Sequence, residues 1–358
     1  MNILIVKPSS FGDIIHTFPA VSLLRQEFPE ARLVWLVNRS YAELVRSSAL
    51  VDDVILFDRR RWARFRHMHE VPAFVKSLRR QRFDISLDFQ GLLRSGLVTR
   101  LSGAPRRIGF GNAREGAVHC YSERVLLPAN LKHAVDKNLF LVQSAFHSSG
   151  LPDLPALSIS DEDVRTADHL IGGMKARGRP LVAAAPAARW PSKTWPPRFF
   201  ASVLDLVSER RPDARFWLLG SENEQDVGRK VKALSRYSDP CSLIGETPLP
   251  VLAELLRRSA CLLTNDSGPM HLSAYVNTPT VALFGPTDPE LTGPYGPGHQ
   301  VLSGTCGHAP CFERECPLKT RKCANGVTEE EAARALLDRL PPAHGSDSTT
   351  AAEVEEAR

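Results

Sequence analysis

Short apolar runs of strand length alternate along the chain with amphipathic stretches and polar loops. In the first half, Asn2 to Val6, Leu33 to Val37, Val51 to Phe57, Phe83 to Leu87 and Arg106 to Phe110 read as strands. In the second half, Leu181 to Ala185, Phe216 to Gly220, Ser259 to Leu263 and Thr280 to Phe284 read the same way. Between them, apolar residues recur at helical spacing. Ile14 to Gln26 predicts one helix, with Ile14, Ile15, Phe18, Val21 and Leu23 or Leu24 on its buried face. Ser95 to Leu101, Pro197 to Val207, Met270 to Val276 and Val327 to Leu340 predict others, and Ser160 with Asp163 forms a near capping box before one more. Strand, helix and strand in succession predict an α/β fold with parallel sheets in both halves. Ligands of such sheets sit beyond the C-terminal ends of the strands.

Two strand-end loops stand out on that scaffold. In the second half, Asp266-Ser267-Gly268-Pro269 makes a tight turn between a strand and a helix that Asn277-Thr278-Pro279 stops. The turn places free backbone N–H groups, a Ser hydroxyl and a Gly without Cβ at a helix N-terminus, which attracts phosphate. The local reading makes Asp266 an N-cap. In the first half, Pro8 to Asp13 is a loop of small residues leading into a helix, where Asp13 also reads locally as an N-cap carboxylate. This loop is no Walker A motif and lacks G-x-G-x-x-G, so it implies no nucleotide of its own. The missing glycine pattern also disfavours a nucleotide-dependent oxidoreductase.

Length and charge then narrow the classes. With 358 residues the chain has room for about two domains, and 43% hydrophobic residues give each a core. Gly178-Arg179-Pro180 follows a Ser/Pro/Gly-rich linker, so the expected division is residues 1–177, 178–341 and a disordered polar tail at 342–358. No run reaches the ~20 apolar residues of a membrane span. The chain starts directly on a strand with no signal-like segment, so the expected location is cytoplasmic. A net charge of +5, with Arg far exceeding Lys, suits an anionic partner, while no basic–aromatic pattern suggests nucleic acid. The densest charge run, Arg59 to Arg66, reads either as a solvated helix start or as an anion site.

The seven cysteines divide into scattered core residues and a cluster of Cys306, Cys311, Cys316 and Cys323. Four thiolates could hold a structural zinc or iron–sulfur centre, but their spacing is not that of a zinc ribbon. No metal is therefore assigned to the catalytic account. Asp161-Glu162-Asp163 has the form of a D-x-D diphosphate–metal motif. It opens a linker helix away from the strand ends and reads as surface charge.

The exact residues of these loops carry a resemblance. Asp-Ser-Gly-Pro-Met-His at 266–271, followed by Phe-Gly-Pro-Thr-Asp-Pro at 284–289, resembles the donor-site signature of glycosyltransferase family nine, the lipopolysaccharide heptosyltransferases. Lys7 to Thr17 resembles that family's K-x-S-S-x-G-D-x-x-H-T opening, and Asp88 to Ser95 its D-x-Q-G-L-x-(K/R)-S segment. His133 to Lys137 and the loop ending Lys193-Thr194-Trp195-Pro196 also match. The resemblance covers roughly residues 1 to 300.

It implies a GT-B architecture, two facing Rossmann-like domains with the active site in the cleft between them. It also implies an inverting, metal-independent transferase, most like heptosyltransferase I, that moves L-glycero-D-manno-heptose from ADP-heptose to Kdo of the lipid A–Kdo acceptor. No cofactor beyond this donor substrate is implied, and the protein would act peripherally at the inner face of the cytoplasmic membrane. Asp13 would be the general base. Lys193, Glu222, Asp266, Ser267, Gly268 and His271 would bind the donor, with Glu224 the alternative to Glu222. Ser10, Gly12, Arg60, Arg61, Arg64 and Gln90 would face the acceptor, and Asp88 and Gly91 would line the cleft. His16 reads as a packing residue, and Trp195-Pro196 as a loop anchor. A heptosyltransferase II, or a transferase using another nucleotide sugar or acceptor, is the near alternative. A non-catalytic nucleotide-sugar-binding protein is the distant one.

Overall fold

The computed structural model of the protein describes residues 1–58, 69–174 and 176–342. Two six-stranded sheets, parallel in every pairing, form its frame. The first contains β1 (Asn2–Val6), β2 (Arg32–Val37), β3 (Asp53–Leu56), β4 (Ile85–Asp88), β5 (Arg106–Phe110) and β6 (Glu123–Val125), in the order β3-β2-β1-β4-β5-β6. The second contains β7 (Leu181–Ala185), β8 (Arg215–Leu218), β9 (Cys241–Ser242), β10 (Cys261–Asn265), β11 (Thr280–Phe284) and β12 (Gln300–Ser303). Its order is β12-β11-β10-β7-β8-β9. Each half thus has the doubly wound order, with its switch point between the first and fourth strands. The central strands are buried on both faces, as their unbroken Val, Leu, Ile and Ala runs require.

The helices that matter for the site are α1 (Phe11–Ile15) and α2 (Phe18–Glu27) after β1, α6 (Ala134–Phe146) after β6, and α11 (Gly268–Tyr275) after β10. Before α6 in chain order lie α3 (Ala42–Ser47), α4 (Glu70–Arg80) and α5 (Leu93–Leu101). Between α6 and α11 lie α7 (Asp161–Gly173), α8 (Pro197–Arg210), α9 (Gln225–Leu234) and α10 (Leu249–Arg257).

The single helix expected over 14–26 is two helices. His16 caps the first, and Pro19 sits in the first turn of the second, where its missing N–H removes no bond. The halves meet through α1 against α11, through the ring of Phe18 on Tyr275 at 5.1 Å, and through α3 packed on α10. Among the described residues no helix is long and apolar enough to cross a membrane.

Candidate active site

The four loops that follow the switch-point strands, β1 and β4 in one half and β7 and β10 in the other, carry the predicted chemistry. Val6 pairs with Asp88, and Thr264 with Ala185, so each pair of loops leaves its sheet at the same level.

On the first side, Asp13 is the third residue of α1. Its Oδ2 accepts hydrogen bonds from the Ser10 backbone N (3.0 Å) and the Ser10 Oγ (2.6 Å). Burial pushes its carboxyl up, but the Lys7 charge and the two Ser10 bonds outweigh that and lower it to about 2. Asp13 is therefore ionised at neutral pH. Gln90 Oε1 accepts from Ser9 N at 3.4 Å, which ties the loop after β4 to the one after β1. Asp88, expected in the cleft, turns inward instead. It is fully buried and accepts from the Tyr121 hydroxyl (2.8 Å) and from the backbone N–H groups of Gln90 and Gly91. Burial raises its pKa, and its work is to shape the loop that presents Gln90.

On the second side, Lys193 and Asp266 form an ion pair at 2.5 Å with little exposure (17% and 4%). Asp266 also accepts from Thr287 Oγ1 at 2.5 Å, and the Lys193 ammonium lies 4.8 Å from the centre of the Trp190 ring. The N-cap of α11 is Ser267, whose Oγ is 3.3 Å from Thr264 Oγ1. Asp266 is thus a partner for Lys193 rather than the N-cap of the local reading. Trp195 is fully buried, and its backbone N donates to Asn265 Oδ1, so it does anchor the loop. Glu222 is exposed at the end of β8, in a turn where Glu224 instead accepts from Ser221 N.

The two sides touch through a reciprocal pair of glycines. A Cβ on Gly12 would overlap the His271 ring, and a Cβ on Gly268 would overlap the Phe11 ring. Each half gives up a side chain where the other inserts a ring. His271 in turn meets His16 edge-on, with ring centres 4.3 Å apart, and His16 meets His133 at 5.4 Å. Burial lowers the pKa of all three, that of His271 to about 4, so the stack is neutral near pH 7. His133 caps α6 and reaches Gly293 O at 3.2 Å across the halves.

Arg60, Arg61 and Arg64 lie outside the described residues. The four clustered cysteines are free thiols, and among the described residues no group of three or more His, Cys, Asp or Glu side chains could hold a metal ion. Their segment instead supports the Lys193 loop. Ser192 N donates to Arg314 O (3.1 Å) and Ser192 Oγ to Glu313 O (2.7 Å), while Phe312 N donates to Pro286 O (2.8 Å).

The sequence profile described as "Glycosyltransferase family 9 (heptosyltransferase)" matches residues 71–322. The chain belongs to glycosyltransferase family 9. As a family member it is a glycosyltransferase, with an α/β fold of GT-B type. Lipopolysaccharide heptosyltransferase 1 of Pseudomonas aeruginosa is 28% identical over 323 residues, covering 88% of this chain and 87% of that protein. Lipopolysaccharide heptosyltransferase 2 of Escherichia coli K12 is 26% identical over 321 residues, covering 86% and 89%. The solved E. coli heptosyltransferase WaaC with ADP superposes with a TM-score of 0.74 at 24% identity, covering 95% of this chain and all of the other.

Lys7, Asn265 and Thr287 are site residues that motif matching did not assign. Lys7 and Thr287 lay inside the matched motifs and Asn265 just before one, each at or just past the end of a buried strand, but no role was attached to them.

Proposed function

We propose that this glycosyltransferase transfers L-glycero-D-manno-heptose from ADP-heptose to a Kdo sugar of the lipopolysaccharide inner core, with inversion. The observation that carries this is the contact of two switch-point loops. An ionised carboxylate stands on one, and the other opens a helix N-terminus whose Asp266 is paired with Lys193 from the loop after β7. Asp13 accepts the proton of the acceptor hydroxyl as its oxygen bonds to the anomeric carbon. A carboxyl held near 2 is a weak base, so the proton moves with the forming C–O bond rather than before it.

The bond from the anomeric carbon to the diphosphate breaks on the opposite face, and ADP leaves with the electron pair. The Lys193 ammonium and the N–H groups at Ser267 and Gly268 balance that charge, and no metal is required. Glu222 would meet the nucleoside. Residues 1–177 would form the acceptor half, with Ser10, Gly12 and Gln90 lining its site; Arg60, Arg61 and Arg64 are assigned to the anionic lipid by the family resemblance alone. Residues 178–341 form the donor half. The enzyme would work in the cytoplasm, peripherally at the inner membrane.

Relatives named heptosyltransferase 1 support the Kdo acceptor, and relatives named heptosyltransferase 2 keep a heptosylated acceptor as the second reading. The test is a transfer assay with ADP-heptose and Kdo₂-lipid A, read by mass spectrometry. A product heavier by one heptose is expected. Transfer only to an already heptosylated core would favour the second reading, and no binding of ADP-heptose would reject both.

A further inference from the structure

A cavity of about 160 Å³ opens beside Asp13, the space of about five waters. Lys7, Asp13 and His16 line it from the β1 loop and α1, Asn112 from the loop after β5, and Lys137 and Asn138 from α6. Neither lysine belongs to the donor or acceptor residues assigned above. Lys7 is only 6% exposed, and its ammonium donates to Phe89 O at 2.9 Å, one bond for a group with three N–H. The half-buried Lys137 side chain has no ion pair or hydrogen bond among the described residues. Asn138 is fixed, its Nδ2 donating to His16 O (3.0 Å) and Thr17 Oγ1 (3.2 Å). His16 is 4% exposed, and neither of its ring nitrogens has a hydrogen-bond partner among the described residues.

The charges around this recess do not cancel. Two lysines, Lys7 and Lys137, and one carboxylate, Asp13, line it, a net of one positive charge in a partly enclosed space, where an unbalanced charge is costly. A planar monoanion balances it; a phosphate, nearer two charges, overshoots. We propose that the cavity is a subsite for the carboxylate of an acidic acceptor sugar, with Lys7 and Lys137 as its cations. The inference rests on the acceptor reading above and deepens it. Two lysines of the folded core, besides the arginine run, select the acceptor. Holding the carboxylate there brings a hydroxyl of the same ring to Asp13, so recognition and proton transfer share one anchor.

The test compares an acceptor ending in the acid sugar with the same acceptor reduced to a primary alcohol at the carboxyl. The wild-type enzyme should prefer the acid by about 10- to 100-fold in kcat/KM, the effect of a charged hydrogen bond. Lys137→Met should remove that preference by raising the acceptor KM for the acid alone, with the donor KM unchanged, and Lys137→Arg should restore most of it. Calorimetric titration of the free acid monosaccharide gives a reading without turnover, and Lys137→Met should weaken binding at least ~10-fold.

Transfer without a carboxylate preference, or equal losses on both acceptors, would overturn the subsite while leaving the transferase reading intact. Donor binding with transfer to neither acceptor would overturn the subsite together with the Kdo acceptor. Lys7→Met is the secondary variant, because its buried side chain also holds the Phe89 loop.

Discussion

The two switch-point loops hold their charges in opposite ways. In the first half, Asp13 is ionised, held by neutral Ser10 donors, with the Lys7 charge acting on it but no ammonium bonded to it among the described residues. In the second half, Lys193 and Asp266 are bound to each other at 2.5 Å and almost fully buried. The first arrangement leaves a carboxylate free to take a proton. The second keeps a cation neutralised, and in the proposed mechanism a diphosphate would compete for it. One supersecondary unit supports both: Lys7 shares a strand-end loop with Asp13 without bonding to it among the described residues, whereas Asp266 is bonded to a lysine from the neighbouring loop.

The largest expected break in this comparison is Asp13→Asn, which keeps the Ser10 contact but removes the charge. Steady-state transfer should fall by about 10²- to 10⁴-fold with the donor KM little changed. Retained turnover would remove Asp13 as base.

Next comes Lys193→Met, which leaves the Asp266 carboxylate buried without its partner. Unfolding stability should drop by about 3–5 kcal/mol and kcat by roughly 10²-fold. The double variant Lys193→Met/Asp266→Asn should recover most of the stability and none of the activity. Recovery of both would mean that the pair is structural only.

Gly12→Ala tests whether the halves must approach this closely. It should cost about 10-fold or more in kcat/KM, and adding His271→Ala should return part of it in a double-mutant cycle.

The last test concerns pH and bears on stability alone. His271 is neutral when folded and protonates near 6.5 when unfolded, so the unfolded chain binds more protons between pH 6.5 and about 4. Stability present above pH 6.5 is therefore lost as pH falls through that window, by on the order of 3 kcal/mol from this residue. Asp13 acts lower, its contribution fading only below about 3.8 toward 2. Denaturant titrations from pH 7 to 4.5 should show the slope, and His271→Gln should flatten it.

Much of this was legible in the chain. Leu181–Ala185 and Thr280–Phe284 were placed to the residue, because fully buried parallel strands write themselves as unbroken apolar runs. Asp13, Lys193 and Asp266 were singled out by motif, and the structure sets them at the switch-point loops. What periodicity could not show was any relation between distant segments. Asp266 looked like a cap because a capping bond is local, whereas its actual partners come from two other loops. Asp88 looked like a cleft residue for the same reason, its Tyr121 partner lying beyond the next strand. The break at His16–Thr17 was signalled by Pro19, but the apolar periodicity continues across it. The cysteine segment carried no legible role, since it holds the Lys193 loop through backbone carbonyls and not through its thiols.

The two halves are also joined near the cleft by exposed polar contacts, Lys132 with Glu290 and the Tyr295 hydroxyl on Asp136. Exposed pairs weaken as the screening length shortens, from ~10 Å at 0.1 M salt to ~3 Å at 1 M, while the ring-on-glycine contacts are indifferent to ions. Added salt should therefore loosen the rim of the cleft before its floor, so that ionic strength sets how readily the two halves part between turnovers.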